Sequence, residues 1–108
     1  MSKKIEFDYK GRHFTLEFNA RTVKEVQSSG FRVDDIGDKP NIMLPLLFKG
    51  AFLMHHRGEK ASLIEEILLL LGDKENLYTK LLEMYNEPVE ALIEEPDDSV
   101  KVEWTGNW

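Results

Sequence analysis

Ten of the thirteen residues from Ile42 to Met54 are apolar, the exceptions being Pro45, Lys49 and Gly50. The run is too short to cross a bilayer, which takes about 18–20 apolar residues, and no single stripe of it is polar. It reads as a helix over about 41–56 that needs cover on nearly every side. Pro45 is tolerable near the start of such a helix, where the amides lack partners anyway; deeper in, it would kink it. Gly50 and Ala51 leave room for another backbone to approach closely. A chain of 108 residues has material for one core, so whatever covers this helix must come from the rest of a single domain.

Part of that cover is an antiparallel hairpin over 3–18. Ile5, Phe7 and Tyr9 alternate with Glu6, Asp8 and Lys10, and Phe14, Leu16 and Phe18 alternate with His13, Thr15 and Glu17. Lys10-Gly11 between them supplies the tight turn. A lone hairpin is marginal in water, so its apolar face must rest on helices. Asn19 is placed to cap a helix over about 20–29, carrying Val23 and Val26 and stopped by Gly30. Leu63, Ile64, Ile67, Leu68, Leu70 and Leu71 form a wide stripe opposite Glu65 and Glu66 in a helix over about 60–71. Gly72 is expected to end it and Asp73 to cap a last helix over about 74–93, which buries Leu77, Leu81, Met84 and Tyr85. Pro88 should kink or stop that helix near Asn86, because its ring meets the carbonyl four residues back. The expected fold is α+β: a single domain over 1–93, with the hairpin packed on about four helices. An acidic linker and tail follow over 94–108, where Val100, Val102 and Trp104 alternate as a short strand or extended docking arm.

Charge narrows the function. Residues 1–82 hold thirteen Lys/Arg against twelve Asp/Glu, whereas residues 83–108 hold one Lys against eight acids. With no basic cluster, nucleic-acid binding is not expected, since displacing counterions from phosphates needs one. The absence of cysteine excludes disulfides and thiolate chemistry, and fits a reducing compartment. Met1-Ser2-Lys3-Lys4 runs straight into the hairpin pattern, so no signal segment and no membrane attachment are expected.

No constellation of catalytic groups emerges. Adjacent His55 and His56 point about 100° apart on a helix, so they do not converge on one metal, and a helix-end pair near terminal carbonyls is the expectation. Asp34, Asp35 and Asp38 lack the spacing of a calcium loop and read as a solvated turn. Glu65 and Glu66 face away from the apolar stripe as a surface pair. No serine or threonine lies in a nucleophile-elbow or phosphate-loop context. The expectation is therefore no enzyme, with no catalytic, cofactor-binding or metal-binding residues.

What remains points to partners. A domain this small has difficulty covering the 42–54 helix on every side, and an uncovered apolar face favours self-association or a partner. Trp104 and Trp108 stand four apart near the chain's end, and tryptophan rings dominate binding hot spots.

Leu47-Phe48-Lys49-Gly50-Ala51-Phe52, followed by His55-His56, resembles the signature of small tail assembly chaperones from long-tailed phages and prophages of Gram-positive bacteria. The opening hairpin, the Leu77 to Tyr85 helix and the ending Trp104-Thr105-Gly106-Asn107-Trp108 are similar too, so the resemblance spans almost the whole chain. It implies a cytoplasmic assembly factor, absent from the mature virion. Such a factor binds the tape measure protein, keeps it soluble, and yields as tail tube protein polymerises around it. It implies no cofactor and no catalytic residue. On this reading the expected client or self-association face is Phe48, Phe52 and Met54 helped by Leu70 and Leu71, with Trp104 and Trp108 as anchors. Two other classes stay open: a small structural tail or connector protein of the virion, and an acidic intracellular regulator of antitoxin or anti-restriction type.

Overall fold

The computed structural model describes residues 3–108; Met1 and Ser2, which open the stretch read as carrying no signal segment, lie outside the described residues. Strands β1 (Lys4–Tyr9) and β2 (Arg12–Glu17) are followed by helix α1 (Ala20–Ser28), a 3-10 turn at Val33–Asp35, and helices α2 (Pro40–Phe52), α3 (Ala61–Leu70) and α4 (Lys74–Glu90). The hairpin on a four-helix body is the α+β arrangement expected from the pattern.

Lys10 and Gly11 both take positive φ, 51° and 77°, so the two-residue turn has the twist that matches its strands. The register sets Ile5 against Leu16 and Phe7 against Phe14, whose rings stack at 5.3 Å. The two strands are not buried alike. Phe14, Leu16 and Phe18 are sealed in the core, whereas Ile5, Phe7 and Tyr9 are only half-buried. The helices explain this, because α2 packs on β2 while β1 has β2 as its principal neighbour.

Asn19 caps α1 as expected. Its Oδ1 accepts the Thr22 amide at 2.8 Å, and Thr22 Oγ1 accepts the Asn19 amide at 2.9 Å, so two otherwise orphaned donors are satisfied reciprocally. Gly30, at φ 103°, ends the turn after α1. The close approach foreseen at Gly50 is made by α1: a Cβ built on Gly50 overlaps Val26 Cγ2 and lies 3.4 Å from Phe18 Cε1. Tyr85 of α4 is boxed by Phe18 and Phe31, both edge-on at 5.6 and 5.1 Å, and its hydroxyl accepts Gln27 Nε2 at 3.0 Å.

Three local expectations fail. Helix α2 ends at Phe52, leaving His55 and His56 in the following turn. The left-handed residue between α3 and α4 is Asp73 at φ 49°, not Gly72, and its side chain makes no capping bond. Closure comes instead from Lys74, whose Nζ donates to the Leu71 and Leu69 carbonyls at 2.6 and 3.2 Å. Helix α4 neither stops nor breaks at Asn86 but runs through Pro88 to Glu90, and the Ala91 amide still reaches the Glu87 carbonyl at 3.1 Å. Pro88 removes one amide bond close to the helix's end, where few further bonds depend on it.

Candidate partner-binding surface

The residues expected to meet a partner separate into two groups. Phe48 and Phe52 are 0% and 1% exposed, so the client face proposed for them is wrong. Their rings meet at 5.1 Å, and Phe52 stands edge-on to Phe14 at 5.9 Å. Between the hairpin, α1 and α3, this small body does cover the inner side of α2. An aspartate at Phe52 would therefore test folding and not client binding. Met54, in the turn after α2, is partly exposed, and Leu71 is half-buried against the core. Leu70 is 67% exposed, and Trp104 and Trp108 lie in water on a terminal segment without regular secondary structure.

The sequence reading missed the most exposed leucine of α3. Leu69, 77% exposed, stands four residues after Glu65 and three after Glu66, and so continues the charged side of the helix. Leu70 stands four after Glu66. That spacing was the available signal for both. Leu92 and Ile93, just past α4, are also almost wholly exposed. They sit in a turn closed by the Glu94 amide on the Glu90 carbonyl at 3.1 Å, where Leu92 borders α1 at the rim of a cleft without being covered by it.

The polar groups serve to hold the hairpin down. His55 Nε2 meets Glu17 Oε1 at 2.8 Å, and the Thr15 amide donates to His56 Nε2 at 3.0 Å. The histidines thus turn to β2 and not to helix-end carbonyls, because the chain has left the helix before reaching them. Burial among Phe14 and Phe52 pushes the His56 imidazole below its ordinary value, as an acceptor nitrogen requires; Glu59 acts in the opposite sense. His13 bonds to Asp8 at 2.7 Å and to Glu6 at 3.3 Å, and these carboxylates raise it. At the hairpin's tip, Tyr9 and Lys10 bond to Glu66 and Arg12 bonds to Glu59. Among the described residues, no group of three or more His, Asp or Glu side chains is arranged to hold a metal ion. No helix there is long and apolar enough to cross a membrane.

Open clefts mark the body among the described residues, and one of about 240 Å³ lies between α1 and the end of α4, lined by Val23, Gln27, Val89 and Leu92. Another, of about 360 Å³, lies between α2 and α3 and is floored by Pro45, Leu46, Ile64 and Leu68. A third, of about 550 Å³, lies between the start of β1 and α4. Over residues 1–108 the sequence matches the family model described as Domain of unknown function (DUF5055). The chain belongs to that family. No curated protein and no solved structure matches it. Members of the DUF5055 family carry no activity in that description, so function has to be argued from the surface.

Proposed function

We propose that the chain is an assembly chaperone for the tape measure protein of a long-tailed phage or prophage, holding that long helical client soluble until tail tube protein encloses it. The observation that carries the reading is the set of large aliphatic side chains left in water on the helical body: Leu69, Leu70, Leu92 and Ile93. Covering one leucine contributes about 1.5–3 kcal/mol. Contacts of that size hold an amphipathic helix yet release it when a stronger competitor polymerises along it. The run of acids over 83–108 would keep the loaded complex soluble. The motif that resembles tail assembly chaperones, Leu47 to Phe52, lies in the core except for the exposed Lys49, and supports the reading through the scaffold, not through contact with a client.

Co-expression of the full chain with the tape measure protein of its own phage tests this. The wild type should keep the client soluble, and Leu69→Asp with Leu70→Asp should lose most of that effect while retaining the wild-type Tm within a few degrees. A doubly substituted chain that still holds the client would refute the assignment of the face. A wild type that leaves the client insoluble would refute the function. A second reading, an acidic regulator of a basic partner, draws on the exposed Glu94, Glu95, Asp97 and Asp98. Loss of a partner on neutralising those four, with no effect on tape measure solubility, would favour it.

A further inference from the structure

We infer that the His56 side chain is an acid-released latch on the outer edge of β2, covering the Thr15 amide while the imidazole is neutral and swinging off it once protonated, with the domain still folded. Thr15 lies opposite Glu6 in the hairpin, yet its amide donates to His56 Nε2 at 3.0 Å and so points away from β1. On a sheet's outer edge an uncovered amide is a template for another strand. His56 does here what the carbonyl of a third strand would do. A backbone amide can only donate, so the contact fixes Nε2 as the acceptor and puts the proton of the neutral ring on Nδ1. A second proton, taken from water onto Nε2, sets two donors face to face and ends the bond.

That proton finds no support where the ring lies. The imidazole is wedged against Phe14 at 5.0 Å and Phe52 at 6.2 Å, and Arg12 already stands over the Phe14 ring at 4.8 Å. The charged and titratable groups around it are Glu59 and His55 from its own turn and Arg12 and His13 from β2. Helix α2 adds the Phe52 ring and the carbonyl that accepts the His56 amide at 2.7 Å. Of the four groups Glu59 alone favours the charged ring, and Arg12 is bonded to it. Glu17 is held by His55 Nε2 at 2.8 Å. An imidazolium therefore gains by turning out to water.

The turn itself stays down. Residues 53–60 join α2 to α3, and on either side of His56 they are tied by contacts that a further imidazole proton does not break. These run from His55 to Glu17 on β2, from Arg57 to Glu25 on α1 at 3.0 Å, and from Glu59 to Arg12. Protonating His55 strengthens the first of them, because a charged donor on a carboxylate makes the stronger bond. Adjacent histidines thus answer acid in opposite senses, and opening is confined to one side chain, the Thr15 amide and the gap beside Phe14 and Phe52.

Amide hydrogen exchange of the full chain, read by NMR at pH 7.5 and 5.5 and corrected for the intrinsic pH dependence of exchange, tests the latch. The open ring titrates near its ordinary value of about 6.5 and the closed one lower, so the protection of Thr15 should fall about five- to tenfold. Phe14, whose amide is turned inward to β1, and Leu47, inside α2, should keep theirs. His56→Gln has no proton to gain, so its Thr15 protection, high or low, should be the same at both pH values, whereas His55→Gln should retain the wild-type fall. Thr15 protection independent of pH in the wild type, or a fall shared by Phe14 and Leu47, would overturn the latch. A fall that persists in His56→Gln, or that His55→Gln abolishes, would overturn it too. None of these readouts involves a client, so they are independent of the chaperone proposal.

Discussion

Gly50→Ala should destabilise this protein even though alanine is the better helix former, and the reason lies in one contact between α1 and α2. In an open helix the exchange would stabilise by roughly 0.5–1 kcal/mol. Here the new methyl would overlap Val26 Cγ2 and sit 3.4 Å from Val26 Cβ and Phe18 Cε1. Val26 cannot swing aside, because it is buried within α1, where a valine holds one χ1 rotamer about nine times in ten. Forcing α1 and α2 apart costs about 1–3 kcal/mol. The net loss is about 1–2 kcal/mol, or a fall in Tm of roughly 5–10 °C for a domain of this size. Val26→Ala alone should cost about 2 kcal/mol through the two methyls it removes. The double variant should lose at least about 1 kcal/mol less than the sum, since each change relieves the other. Thermal and urea unfolding of the four chains measures the cycle. A Gly50→Ala chain as stable as wild type, or strict additivity, would refute the argument that these helices touch at this glycine.

Asn19→Ala should cost about 1 kcal/mol by opening the capping box with Thr22, a loss checked by urea unfolding and expected to leave the end-state spectrum unchanged. His56 predicts an acid-side loss of stability. Its native value is lowered, so its contribution is complete above the unfolded value of about 6.5 and is lost as pH falls through the native one, when Nε2 gains a proton facing the Thr15 N–H. His13 runs the other way: raised by Asp8 and Glu6, it contributes below about 6.5 and loses that as pH climbs through its native value. His56→Gln should therefore show a smaller drop in Tm between pH 7.5 and 5.5 than the wild type does, and an equal drop would refute the role given to His56.

Much of the fold was legible because its signals are local. The alternations on either side of Lys10-Gly11, the Asn19 cap and the Gly30 stop each depend on neighbours a few residues away. The Asp73 conformation was not legible, since a left-handed residue beside a glycine is ordinarily that glycine; here the lysine that follows closes the helix end instead. Exposure was half legible. Leu70 is exposed as expected, whereas Phe48 and Phe52 are buried, because no pattern within 42–54 reveals how many sides of α2 the hairpin and the other helices will cover.

Composition and period alone determined the α+β arrangement of hairpin and helices, the excess of acids over residues 83–108, and the lack of any cysteine in the sequence. Tertiary packing alone decided which oily residues vanish and which stay wet. Burial is a property of what lies across a contact, many residues distant, so two leucines and two phenylalanines alike in hydropathy end on opposite sides of the same small body.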